Sequence, residues 1–185
     1  SRLHTITFNY YASNSIYQNS TYYNASTAFQ DSAGVDLGLR LADLNNDGFI
    51  DIIQGRQSTS EKKTWINNKT GWNQSGLFLL PEYFVDGSNN DKGLRIEDIN
   101  SDGFPDLIQG WGDVKKAWLN NGYKFGEETA WAPPIDFVAA GGEDYGVQLV
   151  DFNGDGKVDI LQSREKNNDK EFQGNSFIYS AYSFP

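Results

Sequence analysis

Asp43, Asn45, Asp47 and Asp51 occupy positions 1, 3, 5 and 9 of a nine-residue stretch that has Gly48 at position 6. Asp98, Asn100, Asp102 and Asp106 repeat that spacing around Gly103, and Asp151, Asn153, Asp155 and Asp159 repeat it around Gly156. Side-chain oxygens at alternate positions of a tight loop can converge on a hard cation, and Ca²⁺ takes about six to eight oxygen ligands. The glycine allows the sharp turn that folds the later ligands back over the ion. Position 7 is Phe49, Phe104 or Lys157. Side chains so different share only a backbone carbonyl, which is what that position would contribute. Asp, Asn and Gly also cluster in ordinary turns, but three copies in one register favour three calcium loops.

The loops do not follow the helical calcium-binding pattern. That pattern needs a bidentate Glu at position 12 and an amphipathic helix on each side. Here position 12 is Gln54, Gln109 and Gln162, and a carboxylate already stands at position 9. The flanks, Leu39-Arg-Leu41 and Phe49-Ile-Asp-Ile-Ile53 in the first copy, are short apolar runs of strand length. Each loop is therefore expected to join two strands.

The loops recur at 43, 98 and 151, spacings of 55 and 53 residues, and periods of this size mark propellers and arrays. Other landmarks return with them. Gly38, Gly93 and Gly146 precede the first Asp by five residues, and Phe29, Phe84 and Phe137 precede those glycines by nine. Trp65 and Trp118 follow the first two loops, and Pro81 and Pro134 lie 16 residues beyond them. One repeat reads as four short strands: into the loop, out of it, through the Trp and through the Phe. Four antiparallel strands make a propeller blade. The chain is thus expected to be all-β, a propeller-like array with a half blade over 1–36 and repeats over 37–91, 92–144 and 145–185. In the half blade, Thr5–Tyr10 takes the Trp-strand place and Ser26–Phe29 the Phe-strand place; Asn175–Ser180 is the last Trp strand. Two, four, four and three strands, thirteen in all, are too few for four complete blades. The chain is then a piece of a larger propeller, or neighbouring copies share strands head to tail and propagate a filament.

With 185 residues the chain can bury a sizeable core. Its net charge is −10, and the nine loop Asp side chains account for much of it; three Ca²⁺ would return +6 and leave −4. An acidic chain does not suit nucleic acid or an anionic membrane, and no run approaches the roughly 18 apolar residues that span a bilayer. Without Cys there is no disulfide, thiolate metal site or thiol catalysis. Without Met the sequence reads as a mature or excised segment. Weak oxygen-ligand calcium sites match the calcium level outside cells, so an extracellular or cell-surface location is expected. Sequons at Asn19, Asn24, Asn68 and Asn73 permit N-glycosylation.

The run from Tyr145 to Ile160, with Tyr145-Gly146 and Asp151-Phe-Asn153-Gly-Asp155-Gly156-Lys-Val-Asp159, resembles the FG-GAP/VCBS repeat of integrin-α-type β-propellers, and Gly93–Gly110 resembles it as well. The resemblance covers most of 29–165. It implies a calcium-rigidified propeller of a secreted or surface protein, used for adhesion or as a scaffold, with ligands from the matching residues of each loop. The trailing glycine stands at Gly55 and Gly110 but is replaced by Ser163.

Catalysis is not expected. The one histidine, His4, lies near the terminus, Gly141-Gly-Glu143-Asp144 reads as a turn, and Glu97, Glu127 and Glu128 read as solvated positions. A lectin-type propeller is the alternative to a structural module. Trp65 and Trp118 recur in register and are expected to pack between blades, whereas Trp72, Trp111 and Trp131 do not recur and are candidates for an exposed glycan surface.

Overall fold

A computed structural model describes residues 9–11, 17–19, 27–163 and 180–184. Their chain is all-β, with thirteen strands in antiparallel sheets of two, four, four and three strands. It divides into two compact units, Ser1–Asn89 and Asn90–Pro185.

The first unit holds a hairpin of β1 (Asn9–Tyr11) and β2 (Tyr17–Asn19), and a four-stranded sheet. That sheet runs in chain order: β3 (Leu39–Ala42), β4 (Asp51–Arg56), β5 (Glu61–Asn67) and β6 (Trp72–Ser75). Five successive residues of β4, Asp51–Gly55, are buried, as befits an inner strand covered on both faces. Leu39, Ile52 and Trp65 form its core with Phe29, Leu37 and Trp72 packed against them.

The second unit repeats the pattern in β7 (Leu94–Glu97), β8 (Asp106–Trp111), β9 (Val114–Asn120) and β10 (Phe125–Glu127). It adds a three-stranded sheet of β11 (Val147–Val150), β12 (Asp159–Gln162) and β13 (Ser180–Ser183). Ile108 of one sheet and Ile160 of the other lie in a single core with Ile99, Phe137, Val138 and Phe184.

The expected strand numbers agree with these sheets, but two strand assignments change. The fourth strand of a complete sheet is β6 or β10, a short and mostly polar edge, and not the Phe segment. Phe84 and Phe137 instead cross the inner strand outside the sheet. Their N–H groups donate to Gly55 O at 2.9 Å and Gly110 O at 2.8 Å, and Val85 and Val138 bridge Arg56 and Trp111 in parallel. Apolar character marked these phenylalanines as buried, and both are, at 0 and 1% exposure. Hydrophobicity alone does not say which backbone they pair with. At the C-terminal end β13 starts at Ser180, and Tyr182, opposite Ile160, takes the register place of Trp65 and Trp118. Residues 175–179, Thr5–Phe8 and Ser26 lie outside the described residues, and Phe29 is not in a strand.

The recurring glycine before each loop has a physical cause. Gly93 has φ +63° and its Cα faces Gly110 O so closely that an added Cβ would lie 2.3 Å from that oxygen; Gly38 stands likewise against Gly55 O. Left-handed backbone and backbone overlap together should cost Gly93→Ala about 2–4 kcal/mol. Urea denaturation is the check, and a variant within about 0.5 kcal/mol of the parent would contradict this contact.

Candidate metal centres

Each nine-residue loop closes a hairpin, as expected. Position 9 pairs with the residue just before position 1: Asp51 with Ala42, Asp106 with Glu97, Asp159 with Val150. Eight residues are therefore looped out between paired strands, and their own side chains organise them. Asp43 Oδ1 and Oδ2 accept the N–H groups of Asp47 (3.0 Å) and Gly48 (2.7 Å). Asn45 Oδ1 accepts Asp47 N–H (3.2 Å), and Asp47 Oδ1 accepts Phe49 N–H (2.9 Å). The same four bonds recur at Asp98, Asn100 and Asp102 and at Asp151, Asn153 and Asp155. These are Asx-type turns, in which the side chain replaces a backbone acceptor.

Position 7 is held through its N–H in all three loops, whichever of Phe49, Phe104 or Lys157 stands there. Position 4 is left-handed as well as position 6: Asn46 has φ 54°, Ser101 60° and Gly154 79°. Small or Asx residues at position 4 were the available sign.

Position 9 differs from the rest in burial: Asp51, Asp106 and Asp159 are each 0% exposed. Asp51 Oδ2 accepts Leu44 N–H (3.0 Å) and Oδ1 accepts Asn67 N–H (2.8 Å). Asp106 accepts Ile99 N–H (3.1 Å) and Asn120 N–H (2.7 Å) in the same manner. Burial pushes the Asp51 carboxyl up to about 6; the N–H bonds of Asn67 and Leu44 oppose this, and the charges of Asp47 and Asp43 add to it. Asp106 is pushed up to about 7 by burial, with Asp102 and Asp98 adding to it. Asp51 and Asp106 thus sense the other two carboxylates of their loops.

Among the described residues, no three Asp, Glu, His or Cys side chains are gathered closely enough to hold a metal ion. The loop carboxylates turn instead onto N–H groups of their own backbone. A carboxylate oxygen that accepts one N–H keeps a second lone pair, so these bonds leave the oxygens able to ligate.

Three further sets of residues support the loops and recur in register. The position-12 glutamines, which exclude the helical pattern, are structural: Gln54 Nε2 donates to Leu37 O (3.0 Å), Gln109 Nε2 to Lys92 O (3.0 Å) and Gln162 Nε2 to Tyr145 O (3.1 Å). Asp36, Asp91 and Asp144 accept the N–H of Gly38, Gly93 and Gly146 at 2.7–2.8 Å. Arg40 and Arg95 pair with the first two of these at 2.9 Å. Those pairs are about one-third exposed and contribute little by themselves. Asn67 and Asn120 also brace the loops, donating Nδ2–H to Ile50 O and Pro105 O.

Two of the tryptophans are core residues, and the other three are partly buried. Trp65 and Trp118 are 6 and 5% exposed. Trp72 is half-buried, donates Nε1–H to Ile50 O (2.9 Å) and holds the place that Phe125 has in β10. Trp111 lies under Lys92, its ring centroid 4.7 Å from Nζ, and Trp131 stacks on Phe184 at 5.6 Å. All three candidates for a glycan platform therefore pack against core clusters. Of the sequons, Asn68 and Asn73 are exposed, Asn19 lies in β2, and Asn24 is outside the described residues. The turn expected at Gly141–Asp144 lies two residues earlier: Gly142 N–H donates to Ala139 O (2.9 Å), and Asp144 bridges Val138.

Repeated four-stranded antiparallel sheets with an acidic hairpin loop at the same place in each define an all-β repeat protein. Residues 98–161, from the second loop through the third, match the family model described as FG-GAP-like repeat. No curated protein and no solved structure matches the chain. FG-GAP-like repeats usually occur in extracellular or surface proteins. Among the described residues, no helix is long and apolar enough to cross a membrane.

Proposed function

We propose that the chain is a calcium-binding structural or adhesive module of an extracellular or cell-surface protein, its sheets the blades of a propeller. Each loop would hold one Ca²⁺ through the side chains at positions 1, 3, 5 and 9 and the carbonyl at position 7. The observation that carries this reading is the fully buried carboxylate at position 9 of every loop. A buried carboxylate beside two others is costly unless a cation compensates it. Oxygen donors without sulfur or imidazole suit Ca²⁺ over transition metals. The ion would tie the two ends of a hairpin together, a stabilising role with no chemical step. In isothermal titration of chelator-stripped protein, about three Ca²⁺ should bind per chain, and Asp47→Ala should lose one of them. A chain that takes up no calcium, or a variant with undiminished uptake, refutes the assignment.

A further inference from the structure

The three loops differ at position 9, and the difference concerns the third sheet. Asp51 and Asp106 each accept two backbone N–H groups, whereas neither oxygen of Asp159 has a hydrogen-bond partner among the described residues, although this residue too is 0% exposed. The register is the same, but the donors do not reach. One donor to Asp51 or Asp106 is the residue after its cross-strand neighbour, Asn67 or Asn120. The equivalent residue after Ser183 is Phe184, and its N–H does not reach Asp159. The other donor is the position-2 residue, Leu44 or Ile99, which is 0 or 1% exposed and packed inward; its counterpart Phe152 is 49% exposed. The loop backbone there does not bring its N–H to the carboxylate. The rest of the third loop keeps the side-chain turns of the other two, so its remaining oxygens stand in the same order.

We infer that the three sites are unequal, and that the sheet β11–β12–β13 depends on its cation far more than the two four-stranded sheets depend on theirs. This rests on the calcium reading above. In loops 1 and 2 backbone dipoles already compensate the buried charge in part. In loop 3 nothing among the described residues compensates Asp159, so a cation at Asp151, Asn153 and Asp155 has that task alone. Calcium would therefore act on the third sheet as a switch between a closed and an open hairpin, and on the other sheets as a modest brace.

Hydrogen exchange read by mass spectrometry, on the whole chain in calcium and in EGTA, tests this. Chelation should raise exchange in peptides covering β11, β12 and β13 by about tenfold or more, and in β4 and β8 by less than about threefold. Asp159→Asn removes the uncompensated charge while keeping the size. In EGTA it should restore protection to β12, and in calcium it should abolish the calcium response of that sheet. Asp51→Asn, whose carboxylate has donors, should give no such rescue. Equal loss of protection in all three sheets, or no rescue by Asp159→Asn, overturns the inequality while leaving calcium binding intact. No change in any sheet, together with no heat of binding, overturns both.

Discussion

Calcium-stripped protein is expected to be more stable near pH 5 than near pH 8, by about 4 kcal/mol. The carboxyl groups of Asp51 and Asp106 stand at about 6 and about 7 in the folded chain, against 3.8 unfolded. A carboxyl raised in this way binds its proton more tightly when folded. Its contribution is fully present below the unfolded value and is lost as pH climbs through the folded one, so the loss falls between about pH 5 and pH 8. Groups shifted the other way do not interfere in that window. Glu61, lowered chiefly by Lys63, acts only below the ordinary carboxylate range. Bound calcium would keep both carboxylates ionised and flatten the dependence. Urea unfolding followed by tryptophan fluorescence, with and without calcium, measures it. Stripped protein that gains stability with rising pH would show that these two groups are not the ones titrating.

The second large effect is calcium-dependent melting. An ion at about ten times its dissociation constant adds about 1.4 kcal/mol to the folded state, so three sites add about 4 kcal/mol. For a chain of this size that corresponds to a rise of roughly 8–16 °C in melting temperature. Asp102→Ala should keep at least about two-thirds of the rise, because it deletes one site of three and not the one on which β11–β12–β13 depends most. The comparison is between shifts and not absolute temperatures, since Asp102 also accepts the N–H of Phe104 and its loss weakens the loop in any buffer. Scanning calorimetry with and without calcium measures both proteins, and an undiminished rise in the variant would mean that the second loop holds no ion.

Sequence reading located the loops and the strands beside them because both are local. A strand such as Asp106–Trp111 declares itself by a run of apolar residues, and an Asx turn is written in the few residues that form it. The edge strands Trp72–Ser75 and Phe125–Glu127 were missed because a short polar edge has no periodic signature. The segments at Phe84 and Phe137 look like strands because burial and strand pairing leave the same mark in a sequence. Residue identity sets Trp72 and Trp131 apart from the repeat, yet Trp72 holds the place of Phe125 and both pack, partly buried, against core clusters. An aromatic position tolerates a change of ring, so matching by identity undercounts the repeat.

Three acidic hairpin loops, their oxygen donors and the strands that carry them are legible from the residues alone. Spacing along one short stretch sets which side chains can meet, and no distant residue is needed for that. Tertiary structure alone decided how each buried carboxylate is satisfied. Asp106 has the N–H of Asn120 because β9 pairs with β8 in a given register. Asp159, at the same position of its loop, has no donor among the described residues, because the N–H of Phe184, the residue at the equivalent place, does not reach it. Burial and backbone donors come from across a sheet, and their free energy is invisible in a nine-residue motif.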